Sequence, residues 1–189
     1  MLAQGCPLDD FFPVVCKEAT ILMNCDRASL FLVRDAEKGG GKELWSKIAM
    51  GIPPIHVPLK ETSIAGATVL GKEMVNIPNA YGDSRFDPTW DKKTNYRTRS
   101  LLCCPVMDSH DDTCLGCLQL INKKDKFDRV DGADAIFKGR DQELGRDFCS
   151  VVAIAIKNAA SARDAEGAVG LATNLAEQQK KAAAPAPAP

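Results

Sequence analysis

The residues best placed to do chemistry lie between Phe86 and Asp125. Phe86 to Arg99 (FDPTWDKKTNYRTR) is polar and rich in hydroxyls, charges and chain breakers. It reads as a loop or a short helix with a surface to offer. Within it Lys92, Lys93, Arg97 and Arg99 form a basic cluster that could attract a phosphate; a solvated face accounts for the same four residues equally well. Cys114 and Cys117 make a CxxC. As a zinc half-site it needs a second pair, and the adjacent Cys103–Cys104 has the wrong spacing. On a strand, residues three apart face opposite sides, so the two thiols are expected to diverge and to serve as core residues. His56 and His110 are the two histidines of the chain. They fall in edge and turn positions, with no partner pattern for catalysis.

These residues need a scaffold. Ser100–Met107 (SLLCCPVM) and Cys114–Ile121 (CLGCLQLI) are short apolar runs joined by the turn cluster DSHDDT, a β-hairpin signal. Apolar residues on both faces predict a hairpin covered on both sides, central in its sheet. A polar loop delivered straight into a central strand is how a rigid scaffold presents a binding site. Upstream, Leu8, Phe11, Phe12, Val15, Ala19, Leu22 and Met23 keep helical spacing, with Pro13 tolerable only near a first turn. Strands are expected at 28–33 and 43–50, joined by the glycine-rich connection DAEKGGGK. A short edge strand follows at 55–59, because Pro58 cannot donate to a ladder. Ser63–Leu70 reads as a short helix capped by Ser63 or Thr62, and Met74–Ile77 as another strand. Leu144, Phe148, Val151, Val152, Ala155 and Ile156 form the apolar stripe of a long last helix. Beyond Asn158 the composition turns to Ala, Glu, Lys and Gln; Gly167 and Gly170 weaken a helix there, and AAAPAPAP reads as an extended tail. Strands in the middle with helices before, between and after fit an antiparallel α+β sheet layered with helices.

Bulk numbers agree. A chain of 189 residues with 45% hydrophobic content can bury one substantial core. Its net charge of −1 gives no pull toward nucleic acid or membrane, and no apolar run approaches the ~20 residues of a membrane span. The start lacks the pattern of a signal peptide. Eight cysteines without one are read as reduced cytoplasmic thiols.

YRTRSLLCCPV followed by LGCLQLINK resembles the GAF domains of cyclic-nucleotide phosphodiesterases and related adenylyl cyclases. The resemblance covers about Leu8 to Lys157 and is most specific from Asn79 to Lys123. It implies an α+β GAF fold, a six-stranded antiparallel sheet with helices on both faces, over 8–160. Residues 1–7 would be an N-terminal tail and 161–189 a helical-to-disordered tail or linker. The family's ligand positions fall on Ser29, Ala49, Met50, Ile64, Ala65, Asp87, Asp91, Thr94, Thr98 and Gln119. Hydroxyls and a helix start suit a cyclic phosphate, and an apolar slot with polar edges suits a purine. Some members hold the base with an aromatic residue and an Asp where this chain has Ala49 and Met50, so the base-edge hydrogen bond must come from elsewhere. A second signature, Asn-Lys and then Phe, three residues, Asp and Glu, matches Asn122 and Lys123. Phe127 with Asp131 and Phe137 with Asp141 both fit the remainder. Phe137 is preferred because Asp141 would open the last helix; Gln142 then replaces the Glu, and Lys123 and Asp141 form an ion pair.

The function implied is regulatory: binding of cAMP or cGMP, with no further cofactor or metal, and control of an attached phosphodiesterase or cyclase effector or of a homodimer partner in the cytoplasm. A ligand-free scaffold for dimerisation or assembly is the alternative. Two histidines cannot build the metal centre of cyclic-nucleotide hydrolysis. A thiol oxidoreductase like the GAF-fold methionine sulfoxide reductases would require accessible cysteines of low pKa.

Overall fold

A computed structural model of the chain describes residues 8–36, 41–46 and 55–182. The expected tail at 1–7, the last seven residues (183–189) of the expected tail at 161–189, the tip of the glycine-rich connection, and Ala49 and Met50 lie outside the described residues.

The elements run α1 (Leu8–Leu22), β1 (Cys25–Asp35), β2 (Lys42–Ser46), β3 (Ile55–Pro58), α2 (Ile64–Gly71) and β4 (Val75–Ile77). A 3-10 turn at Ala80–Gly82 leads to α3 (Thr89–Thr94), β5 (Leu101–Met107), β6 (Cys114–Lys123) and α4 (Gly139–Ala182). The six strands form one antiparallel sheet in the order β3-β2-β1-β6-β5-β4. The expected α+β architecture is therefore present, with the Pro58-containing strand at one edge.

Strand alternation sorts the core into two layers. Leu30 and Leu32 of β1, Leu102, Cys104 and Val106 of β5, and Leu118 and Leu120 of β6 face α1 and α4. Phe31, Leu101, Cys103 and Cys117 face α2, with Ile64, Ala65 and Val69 packed on them. Covered on both sides, β5 and β6 read as continuous apolar runs for that reason. Two close approaches rest on glycine, one between α4 and the sheet and one between the neighbouring strands β6 and β1. A Cβ on Gly145 of α4 would sit 2.7 Å from the Cys104 sulfur, and one on Gly116 of β6 would sit 2.0 Å from the Phe31 carbonyl oxygen. Only glycine lets the chains approach this closely.

Several sequence expectations are corrected. Leu22 and Val151 are exposed rather than core-facing. The rest of the apolar stripes holds: Phe12, Val15, Ala19 and Met23 of α1 and Val152 and Ile156 of α4 are buried as expected, and Cys149 and Ala153 join them on the α4 face. Pro13 lies more than a turn inside α1, leaving the carbonyl one turn before it without an intrahelical donor. The CxxC thiols do not diverge. The register shift between Val106 and Met107, where Met107 pairs with Cys114 and Val106 with Gly116, is a β-bulge whose extra residue breaks the alternation. Cys114 and Cys117 consequently both pack on the α2 layer. Finally, α4 continues through Gly167 and Gly170 to Ala182, since adding one residue to a formed helix is far cheaper than nucleating a new one.

Candidate functional site

The floor of the α2 face is mainly apolar, with Ser46 of β2 buried beyond Leu44 and a facing polar pair on the two central strands. Ser29 of β1 and Gln119 of β6 are directly opposite each other in the ladder, and Gln119 is opposite Cys103 on its other side. Strand alternation puts both side chains on the face of Phe31 and Cys117. Both are half-buried. Neither has a side-chain hydrogen-bond partner among the described residues. Beside this pair, α2 begins at Ile64, with Ser63 as its cap: the Ser63 hydroxyl accepts from Gly66 N at 3.1 Å and donates to the Lys60 carbonyl. Ile64 and Ala65 are buried, so they offer backbone N–H groups, the first of the helix and without partners inside it. The Cys117 thiol points at the Ala65 carbonyl, 3.8 Å away, which fixes the helix start over β6.

The polar stretch Phe86–Arg99 proves to be a short helix and a clasp. Asp87 is exposed and caps the start of α3, accepting from Thr89 N and the Thr89 hydroxyl. Thr94 is exposed at the other end and donates to the Trp90 carbonyl. Asp91 and Thr98, by contrast, are buried at 6% and 4% exposure. Asp91 Oδ2 accepts from Thr98 N (2.7 Å) and from the Tyr81 hydroxyl (3.0 Å), and Oδ1 accepts from the Thr98 hydroxyl (2.8 Å). Desolvation and the adjoining Asp91 carboxylate push the Tyr81 hydroxyl above its ordinary pKa. Asp91 therefore folds the loop back on itself; its carboxylate is occupied within the chain, and the Thr98 oxygen keeps only its acceptor capacity. Tyr81 is a site residue that sequence reading missed. It lies just ahead of the stretch, ten residues before Asp91, and a buried Asp in need of donors is the signal that points to it.

The end of β6 anchors this loop and the helices together. Asn122 is 1% exposed. Its Oδ1 accepts from Arg99 N at 2.7 Å, and its Nδ2 donates to the Tyr96 hydroxyl (2.7 Å) and the Arg97 carbonyl (2.9 Å). Lys123 Nζ donates to Asp141 Oδ1 (2.7 Å) and to the Met23 carbonyl at the end of α1 (2.6 Å). Asp141 Oδ2 accepts from Lys138 N just ahead of α4. Phe137 is 3% exposed and Phe127 is 63% exposed, which favours the Phe137–Asp141 register of the signature over Phe127–Asp131. Gln142, half-buried in the first turn of α4, has no side-chain partner among the described residues.

Thiol chemistry is disfavoured where the cysteines are described. Burial pushes Cys16 up to about 11 and Cys25 up to about 12. A thiol–thiol hydrogen bond with Cys149 and burial raise Cys104 further; a bond with Cys103 and burial do the same to Cys117. Nucleophilic thiolates need the opposite shift. The basic cluster is exposed, with Arg97 over the Tyr81 ring at 3.7 Å and Lys93 over Trp90 at 5.3 Å. His56 is exposed and lies 3.0 Å from Glu43 Oε1. Elsewhere, a groove of about 380 Å³ runs beside β4, lined by Asn76, Ile77, Pro78, Asn79, Gly82, Asp83 and Arg85. It includes none of the ligand positions carried over from the family, and Asp83 and Arg85 neutralise each other across it at 2.7 Å.

No helix among the described residues is long and apolar enough to cross a membrane. The GAF domain family model matches residues 7–156. The chain is 40% identical over 122 residues to the dual 3',5'-cyclic-AMP and -GMP phosphodiesterase 11 of Drosophila melanogaster, a match covering 58% of this chain and 8% of that protein. It is 35% identical over 150 residues to the dual 3',5'-cyclic-AMP and -GMP phosphodiesterase 11A of Takifugu rubripes, covering 74% of this chain and 15% of that one. The chain thus corresponds to a small part of these relatives. Among solved structures, the GAF domain of an Acinetobacter phosphoenolpyruvate-protein phosphotransferase superposes with a TM-score of 0.61 at 17% identity, over 85% of this chain and 89% of that one. The GAF-B domain of DevS from Mycobacterium smegmatis superposes with a TM-score of 0.54 at 20% identity, over 81% and 95%.

Proposed function

The chain belongs to the GAF domain family, and from that premise we propose that it is a cytoplasmic regulatory module that binds cAMP or cGMP on the α2 face of its sheet. It passes occupancy to a phosphodiesterase or cyclase effector rather than catalysing turnover itself. The observation that carries this reading is the Ser29–Gln119 pair: two half-buried polar side chains without partners among the described residues, set beside the apolar residues Phe31, Cys103 and Cys117 on the face that α2 covers. Such a surface offers a purine its stacking area and a few directed hydrogen bonds. Its likeness to stretches of dual cyclic-AMP and -GMP phosphodiesterases supports the choice of ligand.

Ligand binding to the folded chain alone raises stability by mass action. At ~100 times the dissociation constant the gain is about 2.7 kcal/mol, a rise in melting temperature of about 5–10 °C for a chain of this size. The rise is expected with cAMP or cGMP and not with the 5′-monophosphate. Thr98→Ala is expected to shrink it, since that change opens the clasp beside the site. Saturating nucleotide that leaves both the melting curve and the calorimeter unmoved sinks this reading.

One observation favours the scaffold reading beside it. Val14 and Ile21 of α1 and Val151 and Ile154 of α4 are 55–65% exposed, and the two helices pack side by side. A homodimer formed on this face would cover them. Sedimentation equilibrium is expected to show a dimer that Ile154→Glu converts to monomer. A wild-type chain that stays monomeric at millimolar concentration removes the dimer.

A further inference from the structure

We propose that Cys104 of β5 and Cys149 of α4 form a redox modification site, which hydrogen peroxide converts to a disulfide that locks α4 to the sheet. The proposal stands independently of the nucleotide reading.

The seven described cysteines are all free thiols. Thiol–thiol hydrogen bonds join two pairs of them, Cys104 with Cys149 on the α4 side and Cys103 with Cys117 on the α2 side. Geometry separates the two pairs. In the β5–β6 ladder Cys103 is opposite Gln119, and Cys117 is opposite Pro105. Cys103 and Cys117 are therefore diagonal neighbours, whose Cα atoms stand about 7–8 Å apart. A disulfide spans about 4.4–6.8 Å between Cα atoms, so that pair is out of reach without moving a strand.

Cys104 and Cys149 are not tied to a shared ladder. The Cys149 sulfur lies 3.9 Å from the Cys104 carbonyl oxygen, so it already reaches the β5 backbone. The Cys104 sulfur in turn lies against α4, 2.7 Å from where a Cβ on Gly145 would be. Gly145 and Cys149 are four residues apart and share one face of the helix. The missing side chain at Gly145 is thus a notch that seats the Cys104 sulfur one turn from Cys149. Each sulfur rests on the other residue's element, and side-chain rotation closes the remaining gap.

The closed chain is inert. Cys104 and Cys149 are 0% and 2% exposed, and the facing Cys149 thiol together with burial pushes the Cys104 thiol above its ordinary pKa. Attack on peroxide needs a thiolate and access. Local opening of α4 supplies both at Cys149. There the thiolate attacks one oxygen of hydrogen peroxide. A sulfur–oxygen bond forms, the O–O bond breaks, and the released hydroxide takes up the thiol's proton to become water. When α4 closes, the Cys104 sulfur attacks the sulfenic acid. The S–S bond forms, the S–O bond breaks, and a second water leaves with the Cys104 proton. The two thiols lose two electrons and the peroxide gains them, with no other reactant consumed. The disulfide closes a loop of 45 residues between sheet and helix and opposes the next opening.

The test is treatment of the whole native chain with hydrogen peroxide, followed by tryptic mapping without reduction. The expected product is lighter by about 2 Da, two hydrogens, with peptide 100–123 joined to peptide 147–157. Cys103→Ala is expected to keep the link, and Cys104→Ala and Cys149→Ala each to abolish it. The linked chain is expected to melt about 10 °C higher than the reduced one, with both changes reversed by dithiothreitol. A link within peptide 100–123, a link that Cys103→Ala abolishes, sulfinic or sulfonic acid in place of the link, or no change of mass overturns the proposal. A linked chain that melts no higher than the reduced one overturns the lock. The wild-type map alone decides should an alanine variant fail to fold.

Discussion

Asp141→Ala is expected to cost about 3–5 kcal/mol of folding stability, the range for breaking a buried ion pair from one side. The side chains of Lys123 and Asp141 are only 17% and 13% exposed, and their charged atoms are 2.7 Å apart. With the carboxylate gone, the Lys123 ammonium keeps only the Met23 carbonyl, and Lys138 N at the start of α4 loses its acceptor. Asp141→Asn retains an acceptor for one of these donors but not the charge, so it should fall between alanine and wild type. Urea unfolding of the three chains measures the series. An alanine variant within roughly 0.5 kcal/mol of wild type, the range of ordinary surface sites, means the pair contributes nothing.

Asn122→Ala is expected to cost about 3 kcal/mol, because Arg99 N–H and the Arg97 carbonyl lose their partner in a buried setting at ~1–3 kcal/mol per stranded group. The backbone adds to this. Asn122 has φ of +58°, the left-handed region that asparagine tolerates and alanine pays about 1 kcal/mol or more to enter. Asn122→Gly removes the side chain but not the conformational freedom, so it should be less damaging than alanine by about that amount. The same denaturant curves separate the two contributions. Equal losses for alanine and glycine would show that the backbone conformation is not part of the cost, and no loss in either would mean the loop at 96–99 is held by something else.

How much of this was legible in the sequence depends on whether the cause was local. Ser63 caps α2 as its residue type and position predict, and Pro58 marks an edge strand because a missing N–H is a property of one residue. The Lys123–Asp141 pair was legible only through the family signature, since 18 residues separate the partners. What failed was set by tertiary geometry. The bulge before Gly116 is a property of how β6 registers on β5, and nothing in CLGC announces it, so the sequence assigns the thiols to opposite faces. The stripes of α1 and α4 were legible apart from Leu22 and Val151, which are exposed at the border of the apolar face, because periodicity locates such a face better than it locates its edge when apolar residues flank it. Within the site, the ligand positions on strands and at the helix start came together as expected for Ser29 and Gln119. The loop residues divided into the inward pair Asp91 and Thr98, which bond each other and Tyr81, and the outward Asp87 and Thr94, which bond locally at the two ends of α3.

The last helix has a consequence of its own. Among the residues whose side chains are described, its last ties to the sheet are Ile156 in the core and the Lys157–Asp108 contact, and the helix continues to Ala182. At 1.5 Å per residue, those further turns span about 38 Å. A continuous helix of that length transmits angle as well as distance, about 100° for each residue along it. The end of the helix at Ala182 is therefore set at an azimuth counted out in residues from the sheet. One residue added to this stretch would turn that end by more than a quarter circle, whereas seven would return it almost to its starting bearing, displaced outward by about 10 Å.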